Sequence, residues 1–271
     1  MVLVAILVGT LLAGIGSVWL AAALSFGALA RYTQHMLSLA AGALMATAFM
    51  HLLPEAFESQ ASAKDLFLTL LVGLVFFFLL DKAELWHHGH EHHHGAHSDG
   101  AHSGHAHHHG HAHAHPHAHP APAGSWSIVT GDSVHCFGDG ILIASAFMAD
   151  MRLGFIAALA VLAHEVPHHM GDLMVLRAGA NNRRMAVVKV SLAGAVTALG
   201  GLAGYWLVDL LHDYLPYFLV VASSSFVYVA LADLIPQLQK RLSLRETVAQ
   251  IAWLAVGMGM VGLLSGLAHG H

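Results

Sequence analysis

Two short stretches carry side chains that bind metal ions and that sit inside otherwise apolar runs. One reads His135-Cys136-Phe137-Gly138-Asp139-Gly140. The other reads His164-Glu165-Val166-Pro167-His168-His169-Met170-Gly171-Asp172. On an α-helix, residues four apart share a face. His135 then lies beside Asp139, His164 lies beside His168, and Glu165 shares that side. Two facing helices with such stripes can surround a divalent cation with imidazole and carboxylate ligands. That donor mixture suits Zn²⁺, Fe²⁺, Mn²⁺, Co²⁺ or Cd²⁺ better than an all-oxygen Ca²⁺ or Mg²⁺ site. The expected ligands are His135, Asp139, His164, Glu165 and His168.

The neighbours of these residues extend the reading. An Asp at the centre of a membrane helix costs about 2.5 to 3.5 kcal/mol, so each ionisable group there calls for a function. Mutual hydrogen bonds explain one Asp–His pair; they do not explain Asp139, Glu165, Asp172 and four histidines on consecutive segments. Asp172 and His169 are secondary candidates. Cys136 points about 100° away from His135 and is either a soft ligand at the edge of the site or a packing residue. Pro167 lacks the N–H that would bond the Ala163 carbonyl, and its ring opens that turn. A freed carbonyl is tolerated at membrane depth where it lines a polar cavity. Gly138, Gly140 and Gly171 are expected to allow close backbone approach.

The elements that must hold these groups are membrane helices. Of 271 residues, 56% are apolar and only 10% are Asp, Glu, Lys or Arg, against about 25% charged in a soluble domain. Apolar segments run approximately over 2–25, 36–56, 64–82, 126–149, 153–177, 185–210, 215–237 and 247–268, each near the roughly 20 residues that a span requires. The third, rich in Leu and Phe, is expected to face lipid. Glycines of the sixth and eighth segments, such as Gly194, Gly200, Gly201, Gly204, Gly257 and Gly259, are read as helix-packing residues. The first segment has no basic flank and is read as a retained span. Net charge is −5 with few charges, which gives a nucleic-acid partner no support. Cys136 is the only cysteine, so no intrachain disulfide forms.

Eight spans place both termini on one side. Arg31, Lys82, Arg177, Arg183, Arg184, Lys189, Lys240, Arg241 and Arg245 fall on the other side, and only Lys64 and Arg152 fall with the termini. Short loops rich in Lys and Arg stay in the cytosol. The termini are therefore expected outside and the third-to-fourth loop inside. The chain divides into spans 1–3 over 1–85, a loop over 86–124, and spans 4–8 over 125–271, as one membrane domain.

That loop holds 17 of the 26 histidines, between His87 and His119, spaced by Gly, Ala, Ser, Asp and Pro. It has almost nothing to bury and is expected to be disordered. Crowded neutral imidazoles bind zinc, copper, nickel or cobalt weakly and multiply. His87, His88, His90, His92, His93, His94, His107, His108, His109, His111 and His113 are the expected donors.

The second span ends His51-Leu52-Leu53-Pro54-Glu55, and the seventh ends Asp233-Leu234-Ile235-Pro236-Gln237. Each places a polar residue three before a proline, in helices of opposite direction. An inverted repeat of spans 1–3 and 6–8 around spans 4–5 would produce this, as in secondary transporters. His51 and Asp233 are therefore secondary candidates along an ion path.

His164-Glu165-Val166-Pro167-His168 also fits a zinc metalloprotease, with two zinc-binding histidines and a glutamate base. Against it stand the proline between the histidines, the lack of a third ligand with its own motif, and the unexplained loop and fourth-span motif. A metal sensor or store would explain the loop but not an interior site in eight spans.

The pair His-x-Phe-x-Asp-Gly and His-Glu-x-Pro-His-x-x-Gly-Asp resembles the ZIP family of metal-ion transporters, in its branch with a histidine-rich loop. The resemblance covers essentially the whole chain. It implies uptake of zinc or a similar ion into the cytosol, as substrate, at a site between spans 4 and 5; alternating access is the expected mechanism, with a span 4–5 unit moving against a more static bundle of spans 2, 3, 7 and 8. It implies His135, Asp139, His164, Glu165 and His168 as transport ligands, with His51 near the path. The chain departs from the family pattern at Cys136, where Asn is common, and at His169, where Glu is common. It has no carboxylate near Gly194 to Thr197, where some bacterial relatives complete a second metal position with a Glu. A bacterial inner membrane is the expected location, with an internal eukaryotic membrane as the alternative. A homodimer is compatible with the sequence but has no signature in it.

Overall fold

The computed structural model describes residues 1–25, 33–89, 125–179, 183–238 and 242–268. Eight long helices hold nearly all of these, and no strand occurs among the described residues. They are α1 (2–25), α2 (33–57), α3 (Ala63–Gly89), α4 (Ser125–Ala149), α5 (Met151–Gly179), α6 (Arg183–Leu210), α7 (Leu215–Leu238) and α8 (Leu244–Ala268). Each coincides with one apolar segment of the sequence. The loop histidines from His90 to His113 fall outside the described residues, as do the side chains of His87 and His88.

Six helices are long and apolar enough to cross a membrane by length and composition; α4 and α5 are the two that are not. Their polar residues lower the hydropathy of otherwise apolar helices. Buried in the bundle, those residues need not face lipid. Helix α3 is the opposite case. Phe67, Leu68, Leu71, Val72, Val75 and Phe76 are each about half exposed or more, as a lipid-facing helix should be.

The turn between α4 and α5 is a single residue, Asp150. Its Oδ1 accepts from Arg152 N at 2.8 Å and Leu153 N at 3.2 Å, satisfying two of the orphan donors at the start of α5. The short turn makes α4 and α5 an antiparallel hairpin. Asp139 lies eleven residues before the turn and His164 fourteen after it, roughly 16 and 21 Å along the helix axes at 1.5 Å per residue. In a hydrocarbon core about 30 Å thick, both lie near the middle depth. On this hairpin the polar stretches also separate two apolar cores. One includes Ile143, Phe147, Leu153 and Val161; the other includes Val129, Val166, Met170 and Leu173.

Close helix contacts follow the small residues. A Cβ at Gly140 would collide with the α6 backbone at Thr197, Gly200 and Gly201, and one at Gly14 would collide with the Gly194 carbonyl. Thus α4 and α1 both lie directly on α6. Separately, Gly42 and Gly257 bring α2 onto α8, and Gly73 accommodates Ser224 between α3 and α7. Gly138, Gly171 and Gly259 have nothing within 4 Å of an added Cβ. Close approach at these three is therefore a reading the structure corrects: they lie on helix faces turned towards open space.

Two helices contain π-helical turns, at Leu12–Gly16 in α1 and Ala48–Leu52 in α2. Such turns often mark functional positions. The first leads directly into Ser17 and the second contains His51. Helix α5 continues unbroken through Pro167.

Candidate metal centre

The donor atoms of α4 and α5 meet across the hairpin. His164 Nε2 lies 3.0 Å from Glu165 Oε1 and 3.3 Å from Asp139 Oδ2. His135 Nε2 lies 3.3 Å from the same Glu165 oxygen, 3.8 Å from Asp139 Oδ2 and 3.4 Å from His164 Nε2. These four residues offer ligand atoms that all lie within 4.8 Å of one another. His164, Asp139 and Glu165 are fully buried, while His135 retains some exposure. Asp139 Oδ2 and Glu165 Oε1 are buried without a hydrogen-bond partner. A carboxylate oxygen stripped of water and left unpaired is costly. Two of them turned towards two imidazole nitrogens form a cage that could hold a cation.

One tautomer of His164 agrees with that role. Its Nδ1 lies 3.4 Å from the Ala160 carbonyl oxygen. In the neutral tautomer that donates from Nδ1 to this carbonyl, the Nε2 lone pair faces the cage. Metal-binding histidines are oriented by such outer contacts.

A second set adjoins the first. Asp132, Glu165, His168 and His169 also present ligand atoms within 4.8 Å of one another. His168 Nδ1 is 3.6 Å from Asp132 Oδ1 and 3.6 Å from Asp172 Oδ2. His169 Nε2 is 3.1 Å from Glu165 Oε2 and 3.6 Å from Asp132 Oδ1. Glu165 belongs to both sets and turns one oxygen to each.

The five ligands expected from sequence are therefore not one group. His135, Asp139, His164 and Glu165 meet; His168 belongs to the neighbouring set, its ring 5.4 Å from that of His135. The helical stripe explains this, because residues 164 and 168 are one turn, about 5.4 Å, apart along the axis. Of the secondary candidates, His169 and Asp172 lie at the second set. Cys136 Sγ lies 3.7 Å from both Asp132 Oδ1 and Glu165 Oε2. His51 is half-buried on α2 and is in neither set. The side chain of Asp233 lies outside the described residues.

Asp132 is the residue that sequence reading missed. It precedes Cys136 by four positions and Asp139 by seven, so it continues the stripe of α4 by one more turn. That spacing was legible, but Asp132 lies outside the compact motif that begins at His135. Ser17, whose Oγ is 3.0 Å from His169 Nδ1, had no signal: nothing in an apolar first helix points to a partner 152 residues away.

The family model described as ZIP Zinc transporter matches residues 1–265. Human zinc transporter ZIP4 is 36% identical over 141 residues, covering 52% of this chain and 21% of the human protein. The Drosophila melanogaster zinc transporter foi is 33% identical over 142 residues, covering 52% and 20% of the two chains. Danio rerio zinc transporter ZIP10 is 32% identical over 148 residues, covering 52% and 18%. The matched region spans about a fifth of the length of each of these relatives.

Proposed function

The chain belongs to the ZIP zinc transporter family, and on that footing we propose that it carries Zn²⁺, or a similar divalent ion such as Fe²⁺, Mn²⁺, Co²⁺ or Cd²⁺, into the cytosol. One observation carries the reading. Two buried, unpartnered carboxylate oxygens, Asp139 Oδ2 and Glu165 Oε1, converge with the Nε2 atoms of His135 and His164 near the middle of the bundle. The ion is the substrate, and the bilayer is the other partner. A net charge of −5 with few charged residues gives a nucleic-acid partner no support.

Orientation is part of the proposal. The nine-to-two distribution of Lys and Arg supports termini outside and a cytosolic loop over 86–124; the membrane proposed is a bacterial inner membrane. That loop receives or senses the released ion. An inverted repeat of α1–α3 and α6–α8 would relate the two flanks of the hairpin, and a homodimer is compatible with it.

Alternating access needs one group of helices to move against another. Glycine contacts fasten α4 and α1 to α6, and α5 is tied to α4 by the Asp150 turn. A different set of close contacts fastens α2 to α8 and α3 to α7. This supports a moving unit of α1, α4, α5 and α6 against a frame of α2, α3, α7 and α8. It enlarges the α4–α5 unit expected from the motifs alone.

A peptidase is disfavoured by the same geometry. There, both histidines of the motif would hold one zinc ion while the glutamate stands free as base. Here Glu165 is itself a donor beside His164, and His168 belongs to the other set. Zinc uptake by proteoliposomes tests the proposal. His164→Ala and Glu165→Ala are expected to abolish uptake while the protein still inserts; normal uptake by both overturns the site, and peptide cleavage without ion flux overturns the function.

A further inference from the structure

Glu165 stands at the centre of the site, and the fold treats its two carboxylate oxygens differently. Oε1 faces His135 and His164 and is buried without a hydrogen-bond partner. Oε2 is turned the other way, 3.1 Å from His169 Nε2 and 3.7 Å from the Cys136 sulfur. A glutamate side chain gives up much rotamer freedom when it is held in one place. Its Oε1 stays in the cage only while something holds Oε2. His169 is completely buried beside that oxygen and is placed to do so.

His169 is itself held from another helix. Ser17 Oγ lies 2.5 Å from the Gly14 carbonyl oxygen. Two oxygens that close share a hydrogen, and a carbonyl has none to give, so the hydroxyl donates its only one there. Towards His169 Nδ1, 3.0 Å away, Ser17 is then an acceptor, and Nδ1 carries a hydrogen. At the far end of the ring, Nε2 lies 3.1 Å from Glu165 Oε2 and 3.6 Å from Asp132 Oδ1. A bare lone pair is repelled by two buried carboxylates at those distances, whereas a ring with hydrogen on both nitrogens is attracted. No hydrogen bond is aligned at Nε2, so the hold on Glu165 is charge against charge. The packing of α1 brings Ser17 to this spot. Ser17 directly follows the π-helical turn Leu12–Gly16. In that turn Gly14 lies against the Gly194 carbonyl of α6. Val18, one residue after Ser17, joins the apolar core that contains Val166 and Met170 of α5. Helix α1 is thus wedged against both α5 and α6 at the depth of His169.

We propose that His169 is a positioning residue for Glu165, not a further ligand, and that Ser17 on α1 positions His169 in turn. The inference rests on the transport reading of the neighbouring cage. Ser17 fixes the ring, the ring holds Oε2, and Oε1 is left in the cage opposite His135 and His164. Helix α1 thereby takes part in ion binding without supplying a donor atom. The ring also sets a positive charge beside Glu165 and Asp132, in a hairpin centre where Asp132, Asp139 and Glu165 are all buried. Outer contacts that orient metal-binding groups matter nearly as much as the ligands, and their loss weakens metal binding about 10- to 100-fold.

Zinc uptake by the full-length protein in proteoliposomes, fitted for KM and Vmax and normalised to inserted protein, tests both steps. Ser17→Ala should raise KM about tenfold, and His169→Ala should raise it at least as far. The double variant should have the KM of His169→Ala alone, because Ser17 acts only through the ring. Should His169→Ala fail to insert, His169→Gln takes its place, since one amide cannot reach both Ser17 and Glu165. An unchanged KM in Ser17→Ala, or two effects that add in full, would make Ser17 a packing residue of α1 and overturn its part. His169→Glu separates positioning from ligation, because it sets a second carboxylate, itself a metal donor, opposite Glu165. As the hold on Glu165 it fails, and KM should rise at least as far as in His169→Ala. A KM near the parent value in His169→Glu overturns the positioning role and leaves the transport reading standing. A parent protein that moves no zinc removes the transport reading and this inference with it.

Discussion

At the scale of single residues, the centre is defined by where polar atoms are left unsatisfied. Asp139 Oδ2 and Glu165 Oε1 are buried without hydrogen bonds, and two imidazole nitrogens face them at 3.0 to 3.8 Å. Asp139→Asn removes one negative charge while keeping size and shape. Zinc affinity of the purified protein is expected to fall by at least about tenfold, measured as the zinc dependence of uptake. Proton competition sets the direction of the pH effect. Metal binding requires neutral imidazoles, whose ordinary pKa is about 6.5. Uptake measured at fixed free zinc should therefore decline as pH falls and recover when it is raised. Uptake that rises steadily on acidification would contradict imidazole ligation as the dominant effect.

At the scale of helices, the hairpin and its contact with α6 hold the donors in register. Asp150 caps α5 and makes the turn too short to slip, so a one-residue change there would rotate His164 away from Asp139. Gly140 rests on the α6 backbone, where a side chain has no room. Gly140→Leu is expected to overpack that contact at a cost of about 1–3 kcal/mol or more, read as a lower melting temperature in detergent and lost uptake. Gly138→Ala, two positions away and facing open space, should leave melting and uptake close to the parent. Equal damage from both would mean that α4 does not lie on α6 as described. The helices themselves were legible, because each is an apolar run of spanning length. Which glycines are contacts was not legible. Gly138, Gly140 and Gly171 look alike in the motifs, and only the position of a neighbouring backbone separates them.

At the scale of the whole molecule, charge and packing make separate statements. Lys and Arg are concentrated on one set of loops, and intact vesicles offer the check. Protease added from the cytosolic side should cleave within 86–124, and protease added from the outside should not. Deleting residues 87–119 removes 17 histidines but none of the donors on α4 and α5. Transport should persist with a changed dependence on metal concentration, and complete loss would place the loop on the ion path. The division of close contacts between α1–α4–α5–α6 and α2–α3–α7–α8 could not be seen in a linear pattern. It depends on which small residues of distant segments meet.

The sequence by itself determined the class of the protein, the number of its spans and the hairpin that carries the candidate donors. Each of these depends on residues near one another in the chain: apolar runs of fixed length, a charge bias between loops, and stripes at helical spacing. The tertiary structure decided how the donors are grouped. Glu165 turns one oxygen to His135 and His164 and the other to His169 and Cys136. Asp132 enters the second group from α4, and Ser17 orients His169 from α1. Periodicity gives the face of a helix that a residue occupies, but not the rotation and depth at which two helices meet. Those are set by the packing of Gly140 on α6 and Gly14 on Gly194, between residues far apart in the chain.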